Sequence, residues 1–174
     1  FQAMLALIQY QSPAEALQQI VFWSMGSLTR ANWAANGVLA AVLIIALPIL
    51  WALGWRLPPL RLGDARATAM GINTSRLRVV VLIVVSLVAA TTVAFAGIIG
   101  FIGLVGPHIA RMLVGEDQRY FLPASMAAGA AVMCAAHAVS LMIKPGLAIP
   151  IGIVTSLLGV PFFIAIVMTR RRAL

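Results

Sequence analysis

Charged side chains are the scarcest feature of this sequence. Only 9% of the 174 residues are charged, and four of them are acidic. A soluble domain carries about 25% charged residues, so this chain has too few of them to cover a surface that faces water. The apolar share of 63% leads to the same conclusion. The composition excludes a soluble globular protein and predicts a polytopic membrane protein.

The residues that catalytic and metal sites require are also scarce. The single cysteine, Cys134, lies in an apolar stretch, so neither a disulfide framework nor a cysteine metal motif is present. The two histidines, His108 and His137, lie on separate apolar segments, and we expect each to be a hydrogen-bonded helix residue rather than a metal ligand. A pathway role for His137 stays open. We therefore predict no catalytic residue, no metal and no directly bound cofactor.

A phosphate-binding loop with Gly-Lys-Ser or Gly-Lys-Thr is missing, so the chain does not hydrolyse ATP in that manner. The four acids lie between the apolar segments: Glu15, Asp64, Glu116 and Asp117. Ion-coupled carriers usually bury carboxylates within their spans. An ion-coupled secondary transporter is therefore the weaker alternative, and an external source of energy is favoured.

Four apolar segments approach the roughly 20 residues that a spanning helix needs. They cover residues 33–53, 77–96, 122–143 and 151–169. Residues 1–9 resemble the tail of a further span, and we expect the chain to be the C-terminal portion of a longer protein. A polar stretch then predicts a short helix on the outer surface within 13–28, with Ser12 as its N-cap residue and Pro13 in its first position.

The segment 97–114 is apolar but shorter and interrupted. Proline and repeated glycines oppose a continuous helix there. In hydrocarbon, such a break survives only where protein or a water-filled cavity covers it. We therefore predict a broken helix beside a transport path, carried by Gly100, Gly103, Gly106, Pro107 and His108.

The twelve basic residues give the chain a net charge of +8 and also an orientation. They lie near the ends of apolar segments, which is typical of membrane loops rather than of a nucleic-acid-binding face. Five of them follow the first span: Arg56, Arg61, Arg66, Arg76 and Arg78. Three more lie at 170–172. The positive-inside rule places both groups, the C-terminus and Arg119 in the cytoplasm, and Arg30 and Lys144 outside.

Two segments of this sequence resemble a known family. Leu62-Gly63-Asp64, with Ala67 and Met70-Gly71, looks like the cytoplasmic coupling segment of type II bacterial ABC importer permeases of the FecCD type, which carry iron–siderophore complexes, haem or cobalamin. The stretch GIIGFIGLVGPHIAR at 97–111 is similar to that family's most specific signature. Further matches extend the resemblance over essentially the whole chain.

The resemblance implies an all-α polytopic membrane protein with part of the type II permease fold. We expect a single transmembrane domain over 1–174, with about five complete or short spans and a truncated first one. From its residues alone, the loop 57–74 could be a solvated basic loop or a docking element with two short helices. The resemblance implies that it couples to the ATPase. Its expected coupling residues are Leu62, Gly63, Asp64, Arg66, Ala67, Met70 and Gly71. The small side chains of Ala65, Ala67 and Ala69 would allow another protein to approach closely.

The resemblance also implies partners. These are a second permease subunit, identical or different, two cytoplasmic ATPase subunits that use ATP, and a periplasmic or lipoprotein substrate-binding protein, all at the bacterial inner membrane with its lipid. The expected cargo is an iron–siderophore complex, with haem and cobalamin as alternatives. No nucleic acid is implied.

Three positions depart from the family's usual residues. The family commonly has Asp where this chain has His137, Arg where it has Leu141, and Glu where it has Ala148. The last two lie at the outer end, where the family's Arg pairs with acids of the binding protein. Lys144, three residues after Leu141, is expected to supply that charge instead. We expect His137 to be neutral and hydrogen-bonded to a neighbouring helix.

Overall fold

The computed structural model describes residues 2–143 and 149–171, without the side chains of 165–167 and 169–171. In that part of the chain all regular structure is helical. The helices are α1 (Gln2–Gln11), α2 (Ala14–Ser24), α3 (Trp33–Gly54), α4 (Asp64–Ala69), α5 (Thr74–Ala96), α6 (Ile102–Val114), α7 (Gln118–Ile143) and α8 (Ile151–Arg171). A 3₁₀ helix, Pro58–Leu62, precedes α4.

Three helices are long and apolar enough to cross a membrane, namely α3, α5 and α7 with 22, 23 and 26 residues. They confirm three of the four predicted spans. The fourth predicted span lies within α8, a helix of 21 residues. Almost no side chain of α3 or α5 is buried within the chain. Their surfaces are therefore suited to lipid or to further helices.

The helices assemble into two compact units. Unit 1 takes its described residues from 1–30, 96–105 and 130–174, and unit 2 consists of 31–95 and 106–129. The core of unit 1 contains Ala136, Ile151 and Val154, with Ile99 and Met133 packed against them. Both α6 and α7 contribute residues to each unit.

The start of α2 differs from the prediction. Pro13, not Ser12, is the N-cap residue, and its carbonyl accepts a hydrogen bond from the Leu17 N–H at 2.9 Å. The Ser12 hydroxyl donates instead to the Ile8 carbonyl at 2.6 Å. Ser12 directly follows α1, whose last carbonyls lack partners within the helix, so its hydroxyl satisfies one of them. The helix is also shorter than the predicted range 13–28.

The predicted break at Pro107 is wrong, because α6 continues through this proline. The irregular backbone lies earlier, at 97–101. A residue before proline is normally displaced from helical geometry, partly because its Cβ clashes with the proline ring. Gly106 has no Cβ, so that part of the clash is absent, and Pro107 costs α6 a backbone donor without ending it.

Candidate functional site

The predicted coupling segment forms a compact turn in unit 2. Its 3₁₀ helix and α4 meet at Gly63, which has φ +94° and ψ 155°. This backbone conformation is essentially limited to glycine. Nothing lies within 4 Å of the place that a Cβ would occupy there. Gly63 is therefore required for its backbone angles, which let α4 begin directly after the 3₁₀ helix.

The other end of α4 closes in a Schellman motif. The Ile72 N–H donates to the Ala67 carbonyl at 3.1 Å, and the Gly71 N–H donates to the Thr68 carbonyl at 2.9 Å. Gly71 has φ +78°, the left-handed conformation that this motif requires of the residue after the C-cap. The chain therefore leaves α4 in one defined direction, toward α5.

An ion pair and a helix cap attach α4 to the spanning helix α5. Arg78 on α5 donates to both carboxylate oxygens of Asp64, at 2.6 and 2.9 Å. The Asn73 side chain accepts a hydrogen bond from the Arg76 N–H at 2.9 Å and caps the start of α5. Bidentate pairs of this kind fix geometry as well as distance. The Asp64–Arg78 pair therefore joins α4 directly to α5.

The loop after α6 contacts the same segment. Glu116 forms ion pairs with Arg61 of the 3₁₀ helix at 2.8 Å and with Arg111 of α6 at 3.4 Å. The guanidinium of Arg119 lies 3.8 Å from the ring centre of Trp55. The ion-paired side chains are at least 42% exposed, so each pair contributes only about 0–1 kcal/mol to stability. These ion pairs therefore orient the loop against the 3₁₀ helix and α6 and add little to the free energy of unfolding.

We use the name α4 surface for the exposed side chains of this segment. Its members are Leu62, Ala65, Arg66, Ala69 and Met70. Leu62 and Met70 are 53% and 62% exposed, so two large apolar side chains of this segment face outward. Ala67 does not belong to this surface, because its side chain is 0% exposed. The expectation that Ala67 lets a partner approach is therefore wrong, and its small size serves packing within unit 2.

The five predicted pathway residues are divided between the two units. Gly100 lies in the irregular segment of unit 1, and a Cβ there would be 4.0 Å from the Ser156 hydroxyl. Gly106 packs in unit 2 against the Gly129 backbone of α7, where an added Cβ would be only 3.1 Å away. Gly103 has open space around it, and His108, next to Pro107 in α6, is half-buried.

Sequence reasoning missed a backbone contact in unit 1 that we call the glycine junction, formed by Gly26, Gly97 and Gly152. The first N–H groups of α8 donate to carbonyls that follow α2: Ile151 to Gly26 at 3.1 Å and Gly152 to Met25 at 3.0 Å. A Cβ on Gly97 or Gly152 would overlap a backbone carbonyl. The three segments are far apart in the chain, so no local pattern signals the contact.

Residues 1–169 match the FecCD transport family. The chain belongs to this family. It is 36% identical to the hemin transport system permease protein HmuU of Yersinia pestis, over 97% of the chain and 51% of HmuU. It is 37% identical to the molybdate import system permease protein MolB of Haemophilus influenzae, over 99% of the chain and 51% of MolB. The chain spans about half the length of these curated relatives.

A solved structure gives the same result for the fold of this FecCD-family chain. It is described as an inward-facing conformation of a metal-chelate type ABC transporter and is 37% identical in sequence. It matches 97% of this chain and 55% of its own, with a TM-score of 0.92. The predicted fold class, an all-α permease of the ABC type, is therefore confirmed.

Among the positions discussed for their departure from the usual FecCD residues, the structure describes His137 and Leu141. His137 is half-buried in α7. Its buried Nδ1 has no hydrogen-bond partner among the described residues, so the expected hydrogen bond to a neighbouring helix is not made by this atom. Leu141 is exposed on α7. Lys144 and Ala148, the other two positions of the predicted docking corner, lie outside the described residues. In the part of the chain that is described, no three potential metal ligands come together.

No pattern in the sequence predicted the unusual backbone conformation of Phe101 in this FecCD-family chain. Its φ is +67°, an outlier for a bulky side chain. A Cβ on Gly159 of α8 would overlap the Phe101 ring. The turn into α6 is thus held in an unfavourable conformation by a ring that packs directly on a glycine of unit 1.

Proposed function

We propose that this chain is part of the transmembrane permease subunit of an ATP-driven importer. The single observation that carries the proposal is the construction of α4. The bidentate Asp64–Arg78 pair joins it to α5, while the α4 surface has no cover from the described residues. A short exposed helix attached to a span is what a separate motor subunit requires in order to move that span.

The geometry supports a mechanical role. A cytoplasmic ATPase that closes on ATP binding would displace α4, and the Asp64–Arg78 pair would pass that displacement to α5. Glu116 would carry it to α6 through Arg111. No residue of the chain takes part in a chemical step, since ATP is used by the partner. Family membership favours this mechanism over the alternative of an ion-coupled secondary transporter.

The remaining assembly follows from the same proposal. A second permease subunit would complete the path, two ATPase subunits would dock on the α4 surfaces, and a binding protein would deliver cargo from the other side. The concentration of arginines around α4 supports a cytoplasmic location for that end, and the C-terminus would lie on the same side. The protein would then be a multi-pass component of the bacterial inner membrane.

For the cargo we propose an iron–siderophore complex, with haem and cobalamin as alternatives. The chain is almost equally similar to relatives named for hemin and for molybdate, at 36% and 37% identity, so similarity does not rank these ligands. The cargo is best decided by the binding protein, whose ligand can be identified after purification from cells.

Charge reversal on the α4 surface tests the coupling role. Arg66 is exposed and has no ion pair among the described residues, so Arg66→Glu leaves the internal Asp64–Arg78 pair intact. A reversed charge within a docking surface lowers the binding free energy of the partner by several kcal/mol. In the intact transporter in proteoliposomes, we expect transport and cargo-stimulated ATPase activity to fall by about tenfold or more.

Arg30→Glu is the matched control, since Arg30 is an exposed arginine of unit 1. It should leave the cargo-stimulated ATPase activity unchanged. The wild-type permease should also co-purify with an ATPase subunit, and Arg66→Glu should reduce the amount recovered. Normal transport with unchanged ATPase activity in Arg66→Glu would contradict the coupling assignment.

A further inference from the structure

A cavity of about 630 Å³ lies in unit 2 between the end of α3 and the start of α5. Two arginines and an amide form its polar part: Arg56, Arg76 and Asn73. Its apolar wall includes Leu53, Leu77 and Val80. Met70 and Gly71 at the end of the coupling segment, followed by Ile72, complete the lining, so the cavity adjoins the α4 surface. No carboxylate lines this cavity, so a positive region adjoins an apolar one.

The two arginines of the cavity are not neutralised. Among the described residues, neither guanidinium has an acidic partner. The three acids of unit 2 are engaged elsewhere. Asp64 pairs with Arg78, and Glu116 pairs with Arg61 and Arg111. The Asp117 carboxylate accepts a hydrogen bond from the Arg119 N–H at 3.0 Å and does not line the cavity. The cavity therefore has a surplus of two positive charges and fits a ligand that carries negative charge.

The cavity lies at the level where a membrane meets water. Arg56 follows the last residue of α3 by two positions. Arg76 is in the first turn of α5, immediately before the apolar stretch that begins at Leu77. Both α3 and α5 are long and apolar enough to span. Basic residues at the ends of spans lie at the depth of lipid headgroups.

We propose that this cavity binds an anionic phospholipid. The phosphate would lie between Arg56 and Arg76, and the Asn73 side-chain NH₂ would donate a further hydrogen bond, since its oxygen already accepts from the Arg76 N–H. The acyl chain would run along Leu53, Leu77 and Val80. Basic pockets between spans on the cytoplasmic side bind anionic headgroups in this manner. An acidic side chain of a protein partner would use the arginines but leave the apolar wall uncovered.

Native mass spectrometry of the intact permease tests the proposal. The detergent-purified protein is exchanged into mixtures of phosphatidylglycerol and phosphatidylcholine, and retained lipid is counted for each permease copy. A basic residue at the surface contributes about fivefold to the affinity for anionic lipid. We expect Arg56→Gln and Arg76→Gln each to lower the affinity for phosphatidylglycerol by about fivefold, and the double variant by about 25-fold.

Two controls separate the site from general charge and from misfolding. Arg66→Gln removes the same charge from α4, outside the cavity lining, and should leave lipid retention unchanged. Arg56→Lys with Arg76→Lys keeps both charges and should retain phosphatidylglycerol, while thermal unfolding shows that each variant is folded.

Three outcomes would overturn the proposal. The first is equal retention of phosphatidylglycerol and phosphatidylcholine by the wild type. The second is release of the lipid by excess inorganic phosphate, which would indicate a site for a free anion. The third is unchanged lipid retention in the double variant. If that variant also lost a co-purifying subunit, the two arginines would belong to a protein contact instead.

Discussion

At the residue scale, glycine serves two different purposes in this chain, and the surrounding atoms distinguish them. Gly63 and Gly71 have nothing within 4 Å of a hypothetical Cβ and are needed for their positive φ. Gly152 has no positive φ but meets the Met25 carbonyl, and is needed for space. The family resemblance highlighted Gly63 and Gly71, but only the structure shows why each of the three positions is a glycine.

Gly71→Ala should destabilise the permease through backbone strain alone. An L-residue in the left-handed conformation costs about 1–2 kcal/mol. Gly54→Ala is the matched control, because Gly54 also has open space but lies in α3 without a positive φ. Thermal unfolding of the intact permease in detergent should show a lower Tm for Gly71→Ala only. Equal Tm values for the two variants would contradict the role assigned to Gly71.

At the scale of the single element, the spans were predictable and their interruptions were not. Hydrophobicity over about 20 residues is a local property, and α3, α5 and α7 follow it closely. The hydrophobic pattern did not predict that α6 would continue through Pro107, where the preceding Gly106 has no Cβ to clash with the proline ring. The cap of α2 depends on how α1 ends, at Ile8 and Ser12. Such details are decided by one or two atoms that a hydrophobic pattern does not represent.

The start of α3 gives a prediction at this scale. The Asn32 side-chain oxygen accepts a hydrogen bond from the Ala35 N–H at 2.7 Å and caps the helix. Asn32→Ala should lower the free energy of unfolding by about 1 kcal/mol, since it leaves that N–H without its partner. The measurement is thermal unfolding of the intact permease.

Asn36→Ala, four residues later, makes the same chemical change within α3, where the amide caps nothing. Alanine is the better helix former, so this control should be neutral or slightly stabilising. If Asn32→Ala were as stable as Asn36→Ala, the cap would not contribute to the stability of α3.

At the scale of the whole molecule, the apolar surfaces of the spans have few partners within the chain. Ile44 on α3 and Ile83 on α5 are 70% and 62% exposed. The chain covers about half of each curated relative that it matches. Lipid and further helices of an intact permease would cover such surfaces, and the proposed phospholipid site near Arg56 would be one specific instance.

Docking of the binding protein gives a prediction at this scale that depends on the proposed function. Lys144 is expected to provide the positive charge that the family usually has at the position of Leu141. Lys144→Glu should lower the affinity of the permease for the binding protein by about tenfold at low salt. The loss should be smaller at high salt, because salt screens exposed charges. Arg30→Glu, predicted to lie on the same side, is the control. Unchanged affinity in a low-salt pull-down would remove Lys144 from the docking surface.

The sequence alone determined the class of this protein, the location of its spans and its family. Composition and hydrophobic runs are sums over neighbouring residues, and the signature segments are contiguous. Tertiary structure decided the rest: the burial of Ala67, the attachment of α4 to α5 through Asp64 and Arg78, and the glycine junction. These features join residues that are distant in the chain, and which of them meet is fixed only by packing.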